Sequence, residues 1–279
     1  MESDKMNIEE PVRRLLCTSG NELASFRDVS SVVHKVIDIS IKVHNAELSV
    51  VILNQLNHAD LYYSEKDDIC SKKEIPFLNL PFTNKIFNEI NDSISWSAIL
   101  NNELKIIIKN AIIAPIFYEN EIFGTLVVLN KNDSLKFSEF DEETIKILAG
   151  QSAIAIKNAQ SMEMLSNFFV NMMEILVSVT ESIKLIMPEG HCMNVAKLST
   201  AIARELGFSQ ADYEQLYYAS MLHDIGKLKA LNLPLNKSDM FHAVYGAEML
   251  TPINLLSKVS NIIKQHHECY DGSGFPEGL

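Results

Sequence analysis

The chain predicts an α+β protein of two units, an α/β domain first and an all-α bundle second, joined by one long helix. Three observations predict it. Two β-rich apolar runs, Ala111 to Tyr118 and Ile122 to Asn130, flank a short polar turn and read as a hairpin. A helical apolar period continues without a break from about Glu142 to Ile186. Beyond Gly190 every apolar pattern is helical. The expected boundaries are a polar leader over 1–20, the α/β domain over 21–160, the connecting helix over 161–188 and the helical domain over 189–279.

The elements follow in order. The leader is polar and acidic at its start, with a short apolar touch at Val12, Leu15 and Leu16. Val32, Val33, Val36, Ile37 and Val43 suit a helix from Asp28 to His44, and the β-branched run Leu48 to Leu53 suits a buried strand. Residues 54–80 are mixed and carry no clear period. In the hairpin, Pro115 argues against a regular central strand because it removes a ladder donor. Ser138, followed by Glu139, Asp141, Glu142 and Glu143, reads as a hydroxyl cap with acids in the first helical turn, where exposed amides favour negative charge.

Along the connecting helix Leu165, Phe169, Met172, Leu176, Val179, Ile183 and Ile186 step by four and three in alternation, a heptad seam suited to a second copy of the chain. Packing of that helix on its own domain is the plain alternative. Pro188 and Gly190 end it. Val195, Leu198, Ile202 and Leu206 form the next stripe, closed by Gly207. Ser209 with Asp212 caps a helix carrying Leu216, Tyr217, Ala219, Met221 and Leu222. Further helices are expected over about Met240 to Leu250 and Leu255 to His267.

At 279 residues each unit can bury its own core. No apolar run approaches the roughly 20 residues of a membrane helix, and the polar start argues against a signal peptide, so a cytoplasmic protein is expected. A formal charge of −12 disfavours nucleic acid and anionic membranes as partners. A phosphate substrate then has to meet local positive charge, for which metal ions are the natural source. Cys17, Cys70, Cys192 and Cys269 show no close pairing and read as reduced thiols. Cys192 and Cys269 lie near candidate ligands, and thiolate coordination by either stays open.

Five of the eight histidines fall in the last third: His191, His223, His242, His266 and His267. Imidazole suits zinc, iron, manganese and nickel, and a carboxylate such as Asp224 can bridge two metals. Two close metals activate water and clamp the oxygens of a phosphoryl displacement. Adjacent residues on a helix diverge by about 100°, so the pairs His223-Asp224 and His266-His267 can reach different sides of one cluster.

The strings Gly190-His191, His223-Asp224-Ile225-Gly226-Lys227, His242-Ala243-Val244-Tyr245-Gly246-Ala247 and His266-His267-Glu268-Cys269-Tyr270-Asp271-Gly272-Ser273-Gly274-Phe275-Pro276 resemble the HD-GYP group of the HD metal-dependent phosphohydrolases, from about Asn171 to Leu279. The resemblance implies an all-helical bundle that hydrolyses cyclic di-GMP at a centre of two or three metals, often iron or manganese. It implies that His191, His223, Asp224, His242, His266 and His267 are metal ligands. Asp224 would bridge the metals and orient the attacking hydroxide, and Lys227 would bind the substrate phosphate. Gly272, Gly274 and Pro276 would shape the loop at the mouth of the site, with the two glycines near substrate.

Departures from the pattern carry expectations of their own. Phe275 stands where the group usually has tyrosine, and the span from His223 to His242 is about ten residues shorter than usual. Met187 stands where some members place a glutamate for a third metal, so two divalent ions, iron or manganese, are expected. The group continues past the counterpart of Gly278-Leu279 to a further aspartate ligand, so the bundle is expected to be incomplete at its C-terminus.

The region from about Asn21 to Gln160 resembles a GAF domain, a small α/β sensor. The resemblance is clearest over Ile122-Phe123-Gly124-Thr125-Leu126-Val127-Val128-Leu129-Asn130-Lys131 and from Phe137 to Ala159. Asn130, Lys131, Phe137, Asp141 and Glu142 match a pattern of cyclic-nucleotide-binding members. That implies an internal Lys131–Asp141 pair supporting a pocket for an unidentified small molecule, a cyclic nucleotide among the candidates. Trp96 is open to pocket or core, and His34, His44 and His58 read as ordinary surface or helix residues.

Two functions from different classes follow. One is a sensor-regulated cyclic di-GMP phosphodiesterase, dimeric through the connecting helix. The other is a catalytically decayed relative that signals by binding ligands or partner proteins without hydrolysis.

Overall fold

Two units, Met1–Leu165 and Ser166–Leu279, make up the chain. The computed structural model describes residues 2–55, 57–64, 70–76, 84–90, 95–132, 136–182, 188–230 and 235–279. The expected seam positions Ile183 and Ile186, and Met187, lie outside the described residues.

The first unit is built on a six-stranded antiparallel sheet in the order β3-β2-β1-β6-β5-β4. The strands are β1 (Ala46–Asn54), β2 (Ala59–Ser64), β3 (Cys70–Ile75), β4 (Lys85–Phe87), β5 (Ala111–Tyr118) and β6 (Glu121–Lys131). Successive strand residues point to opposite faces, and here both faces are covered. Val51, Leu53, Ile112, Ala114, Ile116, Leu126 and Val128 pack on α1 (Glu2–Leu23), α2 (Val29–His44) and the start of α4 (Glu139–Ser182). Val50, Ile52, Ala111, Ile113, Val127 and Leu129 pack on the other side with α3 (Ser95–Leu104). Burial on both faces is why β1, β5 and β6 read as continuous apolar runs rather than as alternation.

Several expectations are corrected. Residues 2–23 form α1 rather than a leader, and Leu16, Ser19 and Leu23 are buried in the core. The short apolar touch noted in the sequence is the inner edge of that helix. β2 and β3, in the stretch without a clear period, are two more strands; β3 lies at the sheet edge and carries Lys72, Lys73 and Glu74, charges that suit an edge. Pro115 sits opposite Thr125 inside β5. Among the described residues β4 pairs only with 111–113, so the outer side of β5 asks for no amide at Pro115. Trp96 is core, edge-on to Phe87 at 5.5 Å between ring centroids. His44, read as an ordinary surface or helix residue, ends α2 and is buried. Its Nδ1 faces the Ser40 carbonyl at 2.8 Å, and its Nε2 faces Thr144 Oγ1 at 3.2 Å.

The second unit is all-helical: the end of α4, α5 (His191–Glu205), α6 (Gln210–Leu222), the short α7 (Lys227–Ala230), α8 (Leu235–Leu250) and α9 (Ser257–Gln265). Ser209 caps α6 by accepting the Asp212 amide at 3.2 Å. The core face of α5 is Cys192, Ala196, Thr200 and Ala203, small residues that let α6 approach closely. The expected stripe is therefore turned outward, and Leu198, Ile202 and Leu206 are all more than half exposed.

The two faces of α4 differ in the same way. Met173 and Val177 are buried in the second unit's core, with Phe169 and Val170 packed against it. Leu165, Phe168, Met172, Ile175, Leu176 and Val179 are exposed. Phe169 therefore leaves the expected seam for the core, and the open stripe runs 165, 168, 172, 175/176, 179. By length and composition alone α4 could also cross a membrane, with an 18-residue window of mean hydropathy 1.2.

In the first unit Asp141 Oδ2 accepts from Lys131 Nζ, from the Ser138 amide at 2.7 Å and from the Ser138 hydroxyl at 2.8 Å, while Ser138 Oγ accepts the Asp141 amide at 3.3 Å. Both ends of the ion pair are largely buried, at 14% and 5% side-chain exposure. Glu142, by contrast, pairs with Lys146 one turn along an open helix face. Asp141→Asn is expected to destabilise the first unit by about 3 kcal/mol, as for a broken buried pair, and Glu142→Gln by less than about 0.5 kcal/mol. Urea unfolding of both variants checks this; equal losses would contradict the difference in burial.

Candidate metal centre

Each candidate ligand sits at a helix end or on a packed helix. His191 opens α5, His223 and Asp224 follow α6, Lys227 opens α7, His242 lies within α8, and His266 and His267 follow α9. Bringing α8 to the His223-Asp224 turn requires glycine. A Cβ on Gly226 would stand 2.0 Å from the His242 carbonyl oxygen and 2.4 Å from the Gly246 nitrogen, both backbone atoms that cannot yield. The closest approach of the two segments is thus set by the absence of a side chain.

All six candidate ligands converge. His191 Nε2 lies 3.2 Å from His223 Nε2 and 3.6 Å from Asp224 Oδ2, and His223 Nε2 lies 3.2 Å from the same oxygen. His242 Nε2 lies 3.2 Å from His266 Nε2, 3.1 Å from His267 Nε2 and 3.2 Å from Asp224 Oδ1. The donors form two groups, His191 with His223 and Asp224, and His242 with His266 and His267. Asp224 stands between them, one oxygen toward each. Lys227 Nζ is 2.7 Å from Oδ2.

The chemistry of this donor set asks for a cation. His223 Nδ1 lies 2.8 Å from the Ser220 carbonyl and His266 Nδ1 lies 2.6 Å from the Ile263 carbonyl, so each Nδ1–H donates outward and each neutral ring presents an Nε2 lone pair inward. Lone pairs then face lone pairs and a carboxylate at about 3 Å, which is repulsive unless positive charge lies among them. Two nitrogens each about 2.1 Å from one first-row cation stand about 3.0 Å apart at a right angle and about 3.4 Å apart at the tetrahedral angle. The Nε2 pairs, at 3.1 and 3.2 Å, fall between. The residues fit the group.

The acid–base behaviour has the same origin. Burial alone would raise the Asp224 carboxyl, but without a metal ion the rings of His223 and His242 carry protons toward it, and their hydrogen bonds, the His223 charge and the Lys227 ammonium outweigh burial and hold the group well below the usual carboxylate range. Burial would lower His223, yet the Asp224 carboxylate and the Ser220 carbonyl raise it. His266 has no such partner. Burial lowers it, the Ile263 carbonyl opposes, and the neighbouring His267, His223 and His242 take it down to about 4. His267 is lowered by burial and by His242. Near neutral pH the His266 nitrogen is therefore free of a proton.

A cavity of about 710 Å³ opens over the cluster. Besides the six candidate ligands and Lys227, its wall includes the apolar Val195, Leu216, Ile262 and Phe275. Phe275 stacks on His267 with ring centroids 4.8 Å apart. Gly272 and Gly274 are not in the wall. Gly272 has φ +75, and a Cβ on Gly274 would stand 2.2 Å from the Cys269 nitrogen, so both shape the loop that carries Phe275. Neither cysteine joins the donor groups among the described residues. Cys192 is buried, and burial with Glu181 and Asp224 nearby pushes its thiol up to about 12; Cys269 is exposed.

Sequence reasoning missed Glu181, whose carboxylate meets the first turn of α5. It also missed the trio His58, Asp60 and Glu74 on β2–β3, where Lys72 Nζ already lies 3.1 Å from Asp60 Oδ2. Of the sensor residues, Asn130 Oδ1 accepts the Lys109 amide at 2.8 Å, and its Nδ2 donates to Glu47 and to the Ile107 carbonyl, each at 2.9 Å. Phe137 is buried beneath Lys131, 5.7 Å from ammonium to ring centroid. Glu142 does not join this group.

With divalent ions chelated, His266 titrates at about 4 in the fold and at about 6.5 unfolded. The unfolded chain takes up this proton first, so stability is expected to fall as pH drops from 6.5 to 4. His223 works in a separate window, its contribution complete below 6.5 and lost as pH rises through its raised value. Thermal midpoints of wild type and His266→Gln over pH 4.5–6.5 check this. A slope no shallower in the variant would refute the assignment.

Comparison with known proteins adds the following. Residues 91–156 match the family model described as GAF domain, and residues 189–277 match that described as HD domain. Over 100 residues the chain is 35% identical to 3'3'-cGAMP-specific phosphodiesterase 3 of Vibrio cholerae, covering 32% of this chain and 22% of that protein. Over 125 residues it is 31% identical to a cyclic di-GMP phosphodiesterase of Thermotoga maritima, covering 40% and 34% respectively. The matches thus span about a fifth to a third of those relatives. A solved GAF domain from a phosphoenolpyruvate-protein phosphotransferase of Coxiella burnetii aligns with 15% identity and a TM-score of 0.45, covering 56% of this chain and 96% of that one. The chain carries a GAF domain followed by an HD domain.

Proposed function

We propose that the second unit is a metal-dependent phosphodiesterase of the HD-GYP group that hydrolyses cyclic di-GMP, regulated by the GAF domain. The observation that carries this reading is Asp224, whose two carboxylate oxygens face two separate histidine groups. His191 and His223 with Asp224 would hold one divalent ion, and His242, His266 and His267 with Asp224 a second, iron or manganese as the resemblance to the HD-GYP group implies. Ions held there would supply a hydroxide nucleophile at neutral pH and neutralise charge on the phosphoryl group.

The protein's own groups supply the remainder. Asp224 stays ionised at any working pH and so remains a ligand. Lys227, one-fifth exposed and in the cavity wall, offers its ammonium to a phosphate oxygen. Val195, Leu216, Ile262 and Phe275 give the flat bases an apolar wall. Hydrolysis adds water across one phosphodiester: its oxygen joins phosphorus, the P–O3′ bond breaks, and the leaving oxygen takes a proton, giving linear pGpG and on further cleavage GMP. The cavity volume of about 710 Å³ supports a dinucleotide ligand, and the substrate of the Vibrio cholerae relative brings 3'3'-cGAMP in as a competitor.

The GAF domain would take a small molecule, a cyclic nucleotide among the candidates, and the chain would act in the cytoplasm, a setting that suits Cys17, Cys192 and Cys269 outside any disulfide. The open apolar stripe on α4, with Leu165, Phe168, Met172, Ile175 and Val179 at heptad spacing, supports a homodimer through that helix.

Wild type loaded with Mn²⁺ or Fe²⁺ is expected to cleave cyclic di-GMP faster than 3'3'-cGAMP. Asp224→Asn and chelation are each expected to lower kcat by at least about a hundredfold. A chain that binds metal and substrate yet releases no product would instead favour the non-hydrolytic regulator, to which Phe275 in place of tyrosine points. Phe168→Glu with Leu176→Glu is expected to turn a dimer into a monomer by light scattering; an unchanged mass would refute the α4 interface.

A further inference from the structure

α5 starts without a cap of its own. Its N-cap is Gly190, at φ 76, with no side chain to meet the exposed amides. A carboxylate from another helix does so instead. Glu181 Oε2 accepts the Gly190 amide at 2.7 Å, and Oε1 accepts the Cys192 amide at 2.9 Å. Glu181 is 8% exposed, so both oxygens are withdrawn from water and matched to the positive end of α5. It lies in the last described turn of α4, four residues past Val177, which anchors that helix in the core. Between the two capped amides, in sequence, is His191.

We propose that Glu181 is a positioning residue that couples the end of α4 to the ligand His191. The coupling rests on the metal centre proposed above. Nε2 of His191 meets His223 and Asp224 only while the first turn of α5 is fixed, and Glu181 holds two of that turn's amides, beside the His191 amide on the Pro188 carbonyl at 3.2 Å. A shift of α4's last turn withdraws the carboxylate, frees the Gly190 and Cys192 amides and moves His191 off the cluster. The other histidine group comes from α8 and the end of α9. Control is therefore selective: one ion is weakened and the other kept. Because α4 begins at Glu139 in the GAF unit, the latch gives the sensor a route to the site.

The test is a Mn²⁺ titration of the metal-free full-length chain by calorimetry, with hydrogen exchange of residues 190–194, on wild type, Glu181→Ala and Glu181→Gln. Alanine is expected to weaken one of two Mn²⁺ equivalents by about tenfold or more, leave the other unchanged, and speed exchange in the first turn of α5. Glutamine keeps one carbonyl acceptor and is expected to fall between. Should the alanine variant not fold, glutamine decides by the same criterion. Faster exchange with both Mn²⁺ affinities unchanged overturns the coupling and leaves Glu181 a helix cap. Wild type that takes up no Mn²⁺ overturns the metal reading itself, and the coupling with it.

Discussion

The second unit depends on one electrostatic constraint: a buried carboxylate, Asp224, held between two sets of imidazole nitrogens that face one another at about 3 Å. Such a cluster is unfavourable in an apolar interior unless positive charge occupies it. Much of the bundle's design follows from meeting that condition. The Nδ1 bonds of His223 and His266 to backbone carbonyls turn their Nε2 atoms to the centre. Lys227 supplies one fixed positive charge beside Oδ2, and Gly226 lets α8 bring His242 within reach. Lys227 offsets the Asp224 charge, and the facing ring nitrogens are relieved by protons or by metal ions; ions suit the range above about pH 4, where His266 has lost its proton.

What could be read in the sequence, and what could not, follows from the range of the forces involved. His223-Asp224 and His266-His267 were legible because adjacent residues on a helix end carry their geometry with them. The hairpin and the Ser138–Asp141 capping interaction were legible for the same reason, being fixed by local hydrogen bonds. Orientation was not. The period of α5 identified a helix but chose the wrong face, because Cys192, Ala196, Thr200 and Ala203 are buried for their small size and Leu198 and Ile202 are not. Helix–helix distance selected that face, and one sequence holds no direct record of it. Glu181 was invisible for a related reason: as a cap it reaches across nine and eleven residues from a different helix, outside any local capping pattern.

The GAF unit shows how strongly motif residues can serve the fold alone. Asn130 adopts a left-handed backbone at φ 55 and uses its amide group to bind Glu47, Ile107 and Lys109, closing the segment before β5 against the end of β6. Lys131 and Asp141 join the end of β6 to the start of α4, and His44 from α2 meets Thr144 and the Asp141 carbonyl on the same helix. These contacts fix where α4 leaves the sheet.

At its other end α4 is asked to do two things at once. Met173 and Val177 bind it to the bundle, while Leu165, Phe168, Met172, Ile175 and Val179 leave an apolar stripe uncovered. A stripe of that length is costly in water, and a second helix at heptad spacing relieves the cost without disturbing the buried face. Were α4 paired along that stripe as proposed, a shift along the helix would reach its last described turn. Glu181 is in that terminal turn, and its two bonds are short and charge-assisted. Bonds of this kind break over a small distance, so a modest rigid-body motion of α4 is enough to separate a fixed His191 from a free one.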